Sequence, residues 1–142
     1  MWLPKFSKSV VIEAPVAVVF AFHEREEALA LLSPPFPPVK ITRRGGIEIG
    51  ARVEMRTGPI RWVARHTDFE RNRLFVDELI DGPILLWVHR HEFEDLGGRT
   101  RLTDRIEYRS GYGPFVNLVM RAMLWALFSY RHRVTRRECE RR

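Results

Sequence analysis

From Ile60 to Ser110 the chain alternates between apolar and polar positions with a period of two. In Ile84–Phe93, Trp87, His89, His91 and Phe93 fall on one parity, and Val88, Arg90 and Glu92 on the other. Successive side chains of a strand point to opposite faces, so the first four share a face. Arg61–Phe69 behaves alike, with Trp62, Ala64 and His66 opposed to Arg61, Val63, Arg65 and Thr67. In Thr100–Ser110, Leu102, Asp104, Ile106 and Tyr108 oppose Arg101, Thr103, Arg105, Glu107 and Arg109. Strands with one arginine-rich side and one apolar side predict an antiparallel sheet wetted on a single face. Arg61, Arg65, Arg101, Arg105 and Arg109 are therefore expected in solvent.

Four more strands are predicted at Phe6–Glu13, Val39–Arg43, Ala51–Thr57 and Leu74–Ile80, making seven. Gly45-Gly46, Gly58-Pro59, Asn72, Asp81-Gly82 and Gly97-Gly98 supply the turn chemistry between strands. Ala14-Pro15 starts a helix, because proline suits the first helical position. Val16, Val19 and Phe20 form its buried stripe, with His23 at the end. A second short helix covers Glu24–Leu32 and stops at the Ser33–Pro38 proline cluster. Pro114 to Cys139 has no internal glycine or proline and predicts one long helix. Its first half is apolar nearly all round, yet falls short of the roughly 20 apolar residues a membrane span needs. It reads as gripped by the sheet on one side and partly covered by the N-terminal helices on the other. The basic run Arg131–Arg137 suits the negative end of a helix dipole. The fold class is α+β.

Length and composition narrow the function classes. A chain of 142 residues is read as one domain, 1–142, and its 45% hydrophobic content argues against disorder. Cys139 is the single cysteine, which rules out an internal disulfide and a cysteine metal site and fits a cytoplasmic setting. The opening Met1–Lys5 lacks the apolar core of a signal peptide. The net charge of +6 is spread over the strand faces and the C-terminus. It allows weak contact with an anionic membrane surface, but no basic-aromatic or helix-turn-helix motif points to a specific nucleic acid. There is no glycine-rich phosphate loop and no nucleophile elbow, and no cofactor is expected.

The candidate chemistry lies on the inner sheet face, in His66, His89, His91 and Asp104. Burying such groups unpaired is costly, so they must meet one another, water or a ligand. An even turn at Leu96-Gly97-Gly98 would set His89 opposite Asp104 and Trp87 opposite Ile106. Opposed Cβ atoms lie roughly 4.5–5.5 Å apart, which makes His89–Asp104 a candidate acid–base dyad or a satisfied polar pair. A two-residue turn at Asp81-Gly82 turns Glu78 inward, whereas a longer turn or bulge turns Asp77 inward; both stay open. His89 and His91 have the alternate spacing of some metal sites, but His66 sits two strands away, about 10 Å. No metal is assigned.

The order strand, two helices, six strands, long helix resembles the helix-grip fold of the START-like, or SRPBCC, superfamily. The residues carrying the resemblance are Ile12–Phe20, Phe75-Val76-Asp77, Gly82-Pro83, Trp87–Phe93 and Thr100–Asp104. They are similar to the bacterial ligand-binding or polyketide-cyclase-like branch, over nearly the whole chain. The resemblance implies a curved sheet wrapped around the long helix with a cavity between them. Trp62, His66, Asp77, Trp87, His89, His91, Asp104, Ile106 and Tyr108 would line it from the sheet, and Trp125 or its neighbours from the helix. The implied function is binding of a small hydrophobic ligand of lipid, isoprenoid or polyketide type. One alternative is a cyclase or aromatase in which His89 and Asp104 move protons without a cofactor. Another is a membrane- or partner-associated module using the basic helix end. Oligomeric state is left open.

Overall fold

The computed structural model describes residues 4–140; Met1–Leu3 and Arg141–Arg142, the outer ends of the single-domain reading, lie outside the described residues. Strand β1 (Lys5–Ile12) is followed by helices α1 (Val16–Glu24) and α2 (Ala28–Leu32). Strands β2 (Lys40–Arg44), β3 (Arg52–Thr57), β4 (Ile60–Glu70), β5 (Leu74–Asp81), β6 (Leu86–Asp95) and β7 (Thr100–Arg109) come next. Helix α3 (Pro114–Cys139) closes the chain. All pairings are antiparallel, in the order β1-β7-β6-β5-β4-β3-β2. The five arginines expected outside are exposed, and several pair across strands, as in Arg101–Glu94 and Arg105–Glu92. Such exposed pairs contribute about 0–1 kcal/mol each.

Two sequence expectations need correction. The second helix is shorter than Glu24–Leu32, because Arg25 is extended and its amide closes back on Phe22. Arg44 of β2 donates to the carbonyls of His23, Arg25 and Glu26, satisfying backbone acceptors left at the end of α1. The second correction concerns α3. Helices α1 and α2 cover only its later half, where Arg131 donates to the Leu32 carbonyl and Arg25 to Glu138. The outer side of the first half is bare, and Phe115, Leu118, Met123 and Trp125 are all exposed. No described helix is long and apolar enough to cross a membrane.

The core has two apolar parts. One gathers Ile12, Val19, Phe20, Phe75, Phe93, Leu102 and Val134, with Phe20 meeting Phe69, Phe75 and Phe93 edge-on at 5.0–6.1 Å. The other gathers Phe6, Ile106, Tyr108, Leu124 and Phe128. The two meet along a polar seam. Asp104 stands between Leu102 and Ile106 on β7, His91 and His89 between Phe93 and Trp87 on β6, and His132 between Phe128 and Val134 on α3.

A smaller buried contact ties β7 to the α1 approach. The Thr100 hydroxyl, fully buried, donates to the Ala14 carbonyl at 2.8 Å. Thr100→Val keeps the shape but strands that carbonyl, and should lower stability by about 1–3 kcal/mol. An unchanged urea midpoint would show that water replaces the hydroxyl.

Candidate functional site

The seam is assembled from four elements. On β6, His89 and His91 share the inner face and lie ring against ring, with centroids 3.7 Å apart. Strand β7 supplies Asp104, β5 supplies Asp77, and α3 supplies His132. His89 Nε2 lies 2.7 Å from Asp104 Oδ1, and His132 Nε2 lies 2.6 Å from Asp104 Oδ2. His91 Nε2 lies 3.0 Å from Asp77 Oδ2, and its Nδ1 lies 3.3 Å from Asp104 Oδ1. Asp104 thus accepts from His89 and His132, one on each oxygen, with His91 beside it as a third, ion-pair contact. His89, His91, Asp104 and His132 are buried and Asp77 nearly so.

The register differs from the sequence expectation. Trp87 pairs with Tyr108, His89 with Ile106 and His91 with Asp104. Leu96–Arg99 form a four-residue loop with Gly97 and Gly98 both at positive φ, so the hairpin pivots later than an even turn at Leu96–Gly98 would require. His89 still reaches Asp104, diagonally rather than straight across. The question of Asp77 against Glu78 resolves at the β5–β6 connection, which is longer than a two-residue Asp81-Gly82 turn and sets Asp77 opposite the inward His89 in unbroken register. His66 is the Cα partner of Asp77, but its Nδ1 donates to the Ala51 carbonyl at 3.2 Å.

The charges follow from this geometry. Burial alone would push both carboxyls up, but the imidazoles outweigh it: Asp77 falls to about 2 and Asp104 well below the usual range. For His91, burial is outweighed by bonds to Asp104 and Asp77, and its pKa rises. His89 is lowered, by burial first and by the neighbouring His91 charge second. Of these two adjacent rings, which share a pair of carboxylates, His91 therefore holds a proton more readily than His89. His23, whose ring centroid is 6.3 Å from that of His91, is lowered to about 4 by burial and then by His91.

Other expected lining residues group differently. Trp62 and Trp87 meet edge-on at 5.1 Å, both half-buried, and Trp87 lies 6.1 Å from His89. Ile106 and Tyr108 are buried in the second apolar part, with the Tyr108 hydroxyl donating to the Asn117 carbonyl. Trp125 stands apart, 61% exposed with Lys8 over its ring, because Leu124 and Phe128 take the inward positions of that helical stripe. The space between His23, His91, Asp104, Phe128 and His132 holds only about 20 Å³. A larger groove of about 290 Å³ runs between β1 and α3, lined by Lys8, Ser9, Ser129, His132, Arg133 and Arg136. His132 is a site residue that strand parity does not reveal. Its signal is helical: Leu124, Phe128 and His132 recur every four residues on one face.

A curved seven-stranded sheet gripping one long helix, with a polar seam between them, defines a helix-grip protein. Residues 12–131 match the family described as polyketide cyclase / dehydrase and lipid transport, and the chain belongs to that family. The nucleoside-diphosphate sugar epimerase from Corynebacterium glutamicum is 26% identical with a TM-score of 0.77 over 93% of this chain, which spans 28% of that protein's length. The Zhui aromatase/cyclase from Streptomyces sp. R1128 is 18% identical with a TM-score of 0.72, covering 99% of this chain and 96% of its own. Ara h 8.0201 is 11% identical with a TM-score of 0.65, over 94% of this chain and 98% of its own. None of the curated proteins compared with the chain matches it.

Proposed function

We propose that this protein binds a small hydrophobic ligand against the Trp62–Trp87 wall, with the ligand's polar end on His89. The observation that carries the reading is the half-buried tryptophan pair abutting a buried imidazole–carboxylate seam. Met55, the cross-strand partner of Trp62, and Met120 and Leu127 beside the second apolar part add partly uncovered apolar surface. Apolar walls with a few convergent polar groups are the common form of a small-molecule site. The family, described by lipid transport as well as cyclase chemistry, points the same way. Native mass spectrometry of freshly purified protein tests for a retained ligand. In solution, Trp87→Ala should weaken binding of the apolar dye anilinonaphthalene sulfonate by about tenfold, the loss of one good aromatic contact. Equal affinity in both proteins would remove the wall from the site.

A second reading, a cyclase-like enzyme, is favoured by the division of protonation between His89 and His91. Two titratable groups with pKa values pushed apart are a frequent acid–base assignment. In that case His89→Ala abolishes turnover of a polyketide-like substrate while leaving its binding intact. A pure binder shows no turnover to lose.

A further inference from the structure

Sequence spacing offers His66 as a third ligand beside His89 and His91, and places it too far away; the fold brings Asp77 instead. One ring nitrogen of His89, one of His91 and a carboxylate oxygen of Asp77 all lie within 4.8 Å of one another. His89 Nδ1 is 3.8 Å from Asp77 Oδ2, beyond hydrogen-bond reach, while His91 Nε2 is 3.0 Å from the same oxygen. The far side of each ring decides what these atoms can do. His89 Nε2 and His91 Nδ1 both face Asp104 Oδ1, at 2.7 and 3.3 Å. A carboxylate accepts and cannot donate, so it fixes the protons of both rings on the Asp104 side. The opposite nitrogens then converge on the Asp77 carboxylate: His89 Nδ1 presents a lone pair, and His91 Nε2 presents one once its proton leaves. A proton on His91 Nε2 bridges that ring to Asp77 alone; a metal ion in the same place would engage all three groups.

We infer that Asp77, His89 and His91 form a three-ligand site for a divalent first-row transition metal, with Asp104 orienting both imidazoles from behind. Two imidazoles and one carboxylate suit zinc, iron, cobalt or manganese better than calcium or magnesium. A ligating histidine that donates its other nitrogen to a carboxylate is the usual support of such sites. Here one carboxylate serves two ligands, and is itself held by His132 at 2.6 Å. On binding, the metal takes the place of the proton on His91 Nε2, which passes to solvent. The site shares His89 with the proposed ligand pocket, but zinc uptake can be measured without a ligand and dye binding at the tryptophan wall without a metal, so either reading can fail alone.

Chelator-treated full-length protein titrated with Zn2+ is the test, followed by calorimetry and by imidazole nitrogen NMR. One equivalent should bind, with His89 Nδ1 and His91 Nε2 shifting while His89 Nε2 and His91 Nδ1 stay protonated. Asp77→Asn and His91→Gln should each weaken binding by about 100-fold or more, since losing even a supporting carboxylate costs 10–100-fold. The NMR readout uses the unmodified chain and stands even if a variant fails to fold. No uptake of Zn2+ or Co2+ at millimolar concentration would overturn the inference. So would uptake that shifts other histidines, or uptake undiminished in both variants.

Discussion

Replacing Asp104 with alanine should lower the unfolding free energy by about 3–5 kcal/mol at neutral pH, enough to unfold many domains of this size. The cost comes from what remains. His89, His91 and His132 each lose a carboxylate neighbour at 2.6–3.3 Å in a buried seam, and His91 keeps Asp77 alone as partner. A buried charge stripped of a partner is far dearer than an exposed one. Asp104→Asn should fall between the two, because its amide can accept from one imidazole but presents N–H groups to another. In that variant His91 should also titrate lower, having lost one of the two carboxylates that hold its proton. Urea unfolding at pH 7 measures the first effect and NMR titration the second. A loss below about 1 kcal/mol for the alanine variant would mean that water reaches the seam.

Stability of the metal-free protein should fall steeply as pH drops from 6.5 toward 4, before most carboxylates begin to protonate. His23 carries much of this. Folded, its pKa is about 4; in the unfolded chain it returns to 6.5. Between those values the unfolded state holds a proton that the native state lacks, so stability rises with pH across that window and is lost on acidification. The difference corresponds to about 3 kcal/mol. His66 and His89, also lowered by burial, act in the same direction. His91 opposes them: its raised pKa stabilises the fold fully below 6.5, and that contribution fades as pH climbs through its folded value. Asp77 adds stability that persists above its ordinary range and disappears only as pH falls toward 2. Urea midpoints from pH 4.5 to 7.5, in chelator, report the slope. His23→Phe should flatten it by about one proton; the same slope in both proteins would assign the acid sensitivity elsewhere.

Strand parity made much of this molecule legible. The outer arginines, the inward set from Trp62 to Tyr108 and the unbroken helix from Pro114 all follow from spacing, because a period of two or of 3.6 is enforced wherever one face is buried. Register is carried by turn geometry instead. The positive φ of Gly97 and Gly98 displaced the last hairpin by two residues, leaving parity intact and changing who faces whom. Which of Asp77 and Glu78 turns inward depended on the length of the connection between Asp81 and Leu86, which alternation cannot announce. His132 was concealed by its company: it sits among arginines in a run that reads as a solvated basic end, while its own helical face continues Leu124 and Phe128. Trp125 misled in the opposite sense, since an apolar stretch all round a helix does not say which side stays bare.

The edge position of β1 also dictates an order of events during synthesis. Ile12 pairs with Thr100 and Lys5 with Glu107, so the first strand has no partner until nearly the whole sheet has emerged. At typical elongation rates of about 5–20 residues per second, that is a wait on the order of ten seconds. Meanwhile Phe6, Val10 and Ile12 remain on an unpaired strand, and β2 to β6 can only assemble as a growing meander. Contacts of such wide sequence separation close late and slowly. Arrival of β7 ends the wait: it pairs β6 on one side and β1 on the other, and brings Asp104 beneath the histidines in the same step.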